Sequence, residues 1–78
     1  MKKNIHILSG TFGSRLFFAI QSSGLTQTEF AKKINIDRHH LNHFIHSRRL
    51  PDFDKLRAII YGLPNIDARW LITGLNKR

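Results

Sequence analysis

The chain contains no cysteine, which excludes disulfides and thiolate-held metal. Acids are scarce: five Asp and Glu among 78 residues, too few to spare a pair for acid–base chemistry. Long apolar runs are missing as well. A secretory leader needs more than Ile5–Leu8 supplies, and nothing approaches the roughly 18 apolar residues of a membrane span. Glycine is thinly spread and forms no phosphate-cradling loop, and no nucleophile stands at motif spacing from a base. Repeats and low-complexity stretches are absent. These absences point away from an enzyme, a membrane protein and a small-molecule binder, and they suit a cytoplasmic chain with no cofactor.

Thirteen Lys and Arg leave a net charge of +8. For so short a chain this excess favours a polyanionic partner over mere solubility. Apolar residues make up 41%, enough for one core and one domain. The expected division is a flexible basic arm over 1–10, a folded domain over 11–74 and a basic tail over 75–78.

Apolar spacing and capping residues predict five short helices. Thr11–Ser23 places Phe12, Leu16, Ala19, Ile20 and Ser23 on one face, and Gly24 suits a left-handed stop. Thr26-Gln27-Thr28-Glu29 is a capping box that opens a helix through about Ile34, with Phe30, Ala31 and Ile34 facing inward. Asn35 tolerates the positive φ that ends it. Asp37 caps a third helix to about His46, buried through Leu41, Phe44 and Ile45. Asp52 caps Phe53–Tyr61, which stops at Gly62. Asp67 caps Ala68–Thr73, which stops at Gly74. No segment alternates convincingly with period two, so strands are not expected. All five acids thus fall at caps or in first turns, where each opposes the helix dipole.

Among the aromatics, Phe30, Phe44 and Phe53 read as core and Trp70 as the closing base. Phe17 and Phe18 are adjacent and cannot share one narrow stripe. One is expected to cap the core margin, the alternative being contact with a partner subunit.

The second and third predicted helices form a helix-turn-helix. Gln27, Ala31, Asn35, Ile36, Leu41 and Phe44 stand at its relative positions 1, 5, 9, 10, 15 and 18. Position 5 must be small because the second helix crosses over it. Position 9 must accept a left-handed backbone. Positions 10, 15 and 18 seal the wedge between the helices.

With these residues in order, the chain resembles the Cro/CI-type, lambda-repressor-like (XRE) helix-turn-helix domains over about residues 12–74. Gly24-Leu25-Thr26-Gln27, Phe30-Ala31, Arg48-Arg49-Leu50-Pro51 and the closing Trp70-Leu71-Ile72-Thr73-Gly74 match the family pattern, the last being typical of phage repressors. Three departures stand out. Asn35 replaces the usual turn glycine, and Ser47 replaces the glycine that often follows the recognition helix. Ile20 and Ile45 replace a buried Arg–Glu pair found in some members. Exchanging both partners of such a pair is often neutral, so direct contact between the two isoleucines is expected.

The resemblance implies an all-α, five-helix bundle that binds double-stranded DNA as a transcriptional regulator, most plainly a repressor. It implies a homodimer on a palindromic operator. Dimer contacts would come from the fourth helix, the Leu63–Ile66 loop or the last helix. Base contacts fall to Arg38, His39, Asn42 and His43, since the second helix of the motif enters the major groove N-terminus first. An arginine fork grips guanine. Phosphate contacts fall to Gln27 and Thr28 at a helix N-terminus, and to His40, His46, Arg48 and Arg49. Lys2 and Lys3 suit an arm along the backbone. Lys32, Lys33, Lys77 and Arg78 read as solvated surface.

Four histidines between His39 and His46 invite a metal reading. His39 and His43 have ligand spacing, but zinc needs a third ligand and usually a fourth, and Asp37 is engaged as a cap. Titration near pH 6.5 is the stronger expectation. An antitoxin-like subunit with autoregulatory DNA binding is the alternative function. RNA binding lacks aromatic stacking platforms on the basic face.

Overall fold

The computed structural model describes residues 10–75 and contains five α-helices: α1 (Phe12–Ser22), α2 (Gln27–Ile34), α3 (Arg38–Ile45), α4 (Phe53–Tyr61) and α5 (Ala68–Thr73). No strand occurs among the described residues. The basic segments Lys2–Lys3 and Lys77–Arg78 lie outside them.

Each helix begins where a side chain satisfies a first-turn amide. Thr11 Oγ1 accepts from the Ser14 amide at 3.0 Å. The Thr26–Glu29 capping box closes reciprocally, at 2.9 Å and 3.1 Å. Asp37, Asp52 and Asp67 accept from the amides of His39, Lys55 and Arg69. Asp54 lies in the first turn of α4. Three of the expected stops use left-handed residues: Gly24 (φ 82°), Asn35 (φ 58°) and Gly74 (φ 81°). Gly62 differs. Its φ is −78°, and it is glycine for lack of room: a Cβ there would strike Ile34 and the Phe30 ring.

The core runs through all five helices and the α4–α5 loop. Leu16 and Ile20 of α1, Phe30 of α2, Leu41 and Phe44 of α3, Ile59 of α4, Leu63 of the α4–α5 loop and Leu71 of α5 are almost fully buried. Each such side chain is worth about 1.5–3 kcal/mol of burial. Helix α1 packs on α3 and α5, and α2 packs on α3 and α4. Ile20 and Ile45 belong to the same buried cluster, where the apolar substitute for an ion pair was expected.

Two contacts hold α1 in place. Gly13 sits against the end of α3, where a Cβ would collide with the carbonyls of Ile45 and Phe44. Arg15 is 5% exposed and donates from Nε to the Leu71 carbonyl at 2.9 Å and from Nη2 to the Ile72 carbonyl at 3.1 Å. Carbonyls in a last helical turn lack intrahelical donors, so this guanidinium ties α5 to α1. Desolvation lowers its pKa, yet a guanidinium in a protein stays protonated.

The aromatic expectations need correction. Phe53 is 75% exposed, not core. The buried face of α4 centres on Ile59 and continues to Leu63, whereas Phe53 lies in the opposite, first turn. Phe17 and Phe18 are both exposed, and the Phe18 ring meets Trp70 edge-on at 6.0 Å. Trp70 is partly buried against the core. Ser23 is exposed rather than inward, because its hydroxyl turns back to the Ile20 carbonyl at 2.6 Å. Lys33, expected to be solvated, donates to the Gly62 carbonyl at 3.2 Å.

Candidate nucleic-acid interface

Helix α3 is amphipathic over eight residues. Leu41, Phe44 and Ile45 fix it to the core. His39 and His43, one turn apart, stand on the side opposite Leu41, with Asn42 beside them. Arg38, His39 and His40 are exposed, and Asn42 and His43 are half-buried. Asp37, Arg38, His39 and Asn42 line a shallow recess at the start of the helix. The four residues expected to read bases are therefore on the accessible surface of one helix.

The flanking groups extend this surface. Arg48, Arg49 and His46 are exposed just beyond α3. The loop is held by the Arg48 amide, which donates to the His43 carbonyl at 2.9 Å. Ser47 adopts φ 60° there, the conformation a glycine would take freely. At the start of α2 the capping box occupies the amides of Thr26 and Glu29. The amides of Gln27 and Thr28 remain for an outside acceptor, at the positive end of the helix dipole.

Electrostatics show that these groups converge. The His43 imidazole is held below its ordinary pKa of 6.5, first by desolvation and then by His39, Arg48, Arg49 and His40. Residues of α3 and of the loop after it thus act on one point. His40 Nδ1 lies 4.0 Å from Asp37 Oδ2, so His40 leans toward the cap at the rim. The His39 and His43 rings are 5.4 Å apart and tilted by 42°. Among the described residues, no three His, Asp or Glu side chains gather as a metal site.

The helix-turn-helix family model matches residues 19–71, from the second half of α1 into α5. The chain belongs to this Cro/CI-type helix-turn-helix family. No curated protein and no solved structure matches it significantly. As a member of a family of DNA-binding regulators rather than of enzymes, it is a DNA-binding transcription regulator. No helix among the described residues is long and apolar enough to cross a membrane.

Sequence reasoning missed Arg15 as a structural residue, although a signal was present. Arg15 follows Phe12 by three and precedes Ala19 by four, which puts it on the apolar stripe of α1.

Proposed function

We propose that this family member is a cytoplasmic repressor that binds a palindromic operator as a homodimer. Helix α3 enters the major groove. Arg38 forks onto guanine O6 and N7, and His39, Asn42 and His43 read neighbouring base edges. Gln27, Thr28, His40, His46, Arg48 and Arg49 hold phosphates on either side, the segment 1–10 serves as a basic arm and 75–78 as a basic tail. Repression is by occupancy of polymerase sites. The observation that supports this reading is that Arg38, His39, Asn42 and His43 share the accessible side of α3, with His46, Arg48 and Arg49 exposed just beyond it.

Selection from random duplex DNA, followed by binding at several salt concentrations, tests it. A palindrome with half-sites about one turn, roughly 34 Å, apart is expected, with a steep salt slope. Arg38→Ala should relax preference at one base pair, losing about 1–3 kcal/mol of discrimination. Arg49→Ala should weaken binding to every sequence alike and flatten the salt slope by about one. Equal affinity for all sequences would reduce the protein to an architectural binder.

Exposed Phe17, Phe18 and Ile72 on α1 and α5 favour a second reading, an antitoxin-like subunit that also regulates its own gene. Stoichiometric co-purification with a partner encoded nearby would support it.

A further inference from the structure

A cleft of about 380 Å³ opens where the end of α1, the last turn of α2 and the α4–α5 loop meet. Lys33 and Pro64 also line a second recess of about 550 Å³, which takes in Ile60 and Tyr61 of α4. The two recesses adjoin through these shared residues, and each has the size of an ordinary small-molecule site.

Their chemistry differs from end to end. At one end stand the Lys33 ammonium, the Ser22 hydroxyl and the Asn65 carboxamide. Lys33 donates one N–H to the Gly62 carbonyl at 3.2 Å, which leaves two. The side chains of Ser22 and Asn65 make no hydrogen bond among the described residues. Ion pairs there join His40 to Asp37 and Lys55 to Asp52, so Lys33 faces no acid. No Asp or Glu lines either recess. The other end is apolar: Ile60, Pro64 and the ring of Tyr61, which is 86% exposed.

We propose that this cleft binds a small aromatic carboxylic acid, with its carboxylate on Lys33, Ser22 and Asn65 and its ring along Tyr61 and Pro64. Charge selects the head group. One ammonium matches a monoanion, whereas a phosphate group carries close to two charges, and no second cation lines the cleft. The net charge of +8 draws anions toward the surface as a whole. Shape selects the body, since an exposed aromatic ring offers an apolar face on which a second ring stacks with an offset. The site is assembled from residues 22, 33 and 60–65, far apart in the chain. It therefore leaves no motif, although composition pointed away from a small-molecule binder. None of the residues assigned to bases or phosphates lines it, so the acid does not occupy the DNA surface.

Phenylacetate is the probe, titrated into the isotope-labelled full chain and followed by amide chemical shifts. Phenylacetamide and inorganic phosphate serve as controls. For so small a molecule a Kd on the order of 1 mM is expected, with shifts grouped around Ser22, Lys33 and Asn65. Phenylacetamide, which lacks the charge, should bind about tenfold more weakly, because hydrogen bonds to charged groups are the strong ones. Lys33→Met should weaken phenylacetate by about tenfold and Ser22→Ala by about threefold, with thermal melts to confirm folding. Should Lys33→Met fail to fold after losing its bond to Gly62, Ser22→Ala and Tyr61→Ala carry the test. Equal binding of acid and amide, or phosphate binding as tightly as phenylacetate, would overturn the proposal. So would shifts centred on α3, or none at about 10 mM probe, well above the expected Kd.

Discussion

Ser47 is the residue whose backbone conformation fits its side chain least well. A left-handed backbone costs a residue with a Cβ roughly 1–2 kcal/mol, and Ser47 holds φ 60°. Ser47→Gly removes that cost and restores some entropy to the unfolded chain, which opposes part of the gain. The expected result is a stabilisation of about 0.5–1 kcal/mol, a melting rise of roughly 2–8 °C for a domain of this size. A scanning-calorimetry melt checks it, and an unchanged or lowered midpoint would show that Ser47 is held there by contacts worth more than the strain. Asn35 shares the conformation, but asparagine tolerates it better than other residues with a Cβ, so the same change there should yield less. The contrast explains why the turn at Asn35 was legible from the sequence. Asparagine advertises a positive φ, whereas serine does not, and the left-handed Ser47 had to be seen.

At the scale of the helix, each start was written in its cap, because Thr, Asp and the Thr26–Glu29 box satisfy amides locally. What local chemistry does not encode is which side of a helix finds a neighbour. Phe53 looked like core on hydrophobicity alone, yet the first turn of α4 projects past the buried end of that helix. Arg15 drew no notice as a sequence position, yet α5 buries it. Helix α5 has only six residues, too short to persist without tertiary support. The Arg15 bonds to Leu71 and Ile72 are therefore expected to govern its docking. Arg15→Met keeps much of the packing and deletes the charged hydrogen bonds, at a cost of about 1.5–3 kcal/mol. Trp70, the single tryptophan of the chain, lies within α5 and reports on it. Denaturant unfolding should shift to lower concentration, with native emission moving to the red if α5 undocks. A variant that melts with the wild type would show that apolar contacts alone hold α5. Which residues of α3 face outward was more legible than the packing, because α3 alternates buried apolar residues with polar ones that have nowhere else to point.

For the whole molecule, the positive charge that suits DNA also opposes folding of the free domain, and pH separates the two effects. Desolvation first, and then His39, Arg48, Arg49 and His40, hold His43 below its ordinary 6.5. A base whose folded pKa is depressed binds fewer protons folded than unfolded. The stability this contributes is present above about pH 6.5 and is lost as pH falls through the depressed folded value. Phosphates reverse the local field, so the same imidazole should take up a proton on binding DNA. Affinity should then rise as pH drops from about 7.5 toward 6, and level off only below the depressed pKa of the free protein. Stability and affinity thus move in opposite directions over one window. Asp52 does not interfere. Its carboxylate is held below its ordinary 3.8, chiefly by the hydrogen bond from the Lys55 amide, with Lys55 charge adding to it, so the α4 cap stays ionised throughout. Fluorescence anisotropy at fixed salt from pH 8 to 5.5, beside thermal melts of the free protein, measures both slopes. His43→Gln should flatten part of each slope. Binding that is flat in the wild type would mean that the imidazoles contact DNA as neutral donors or not at all.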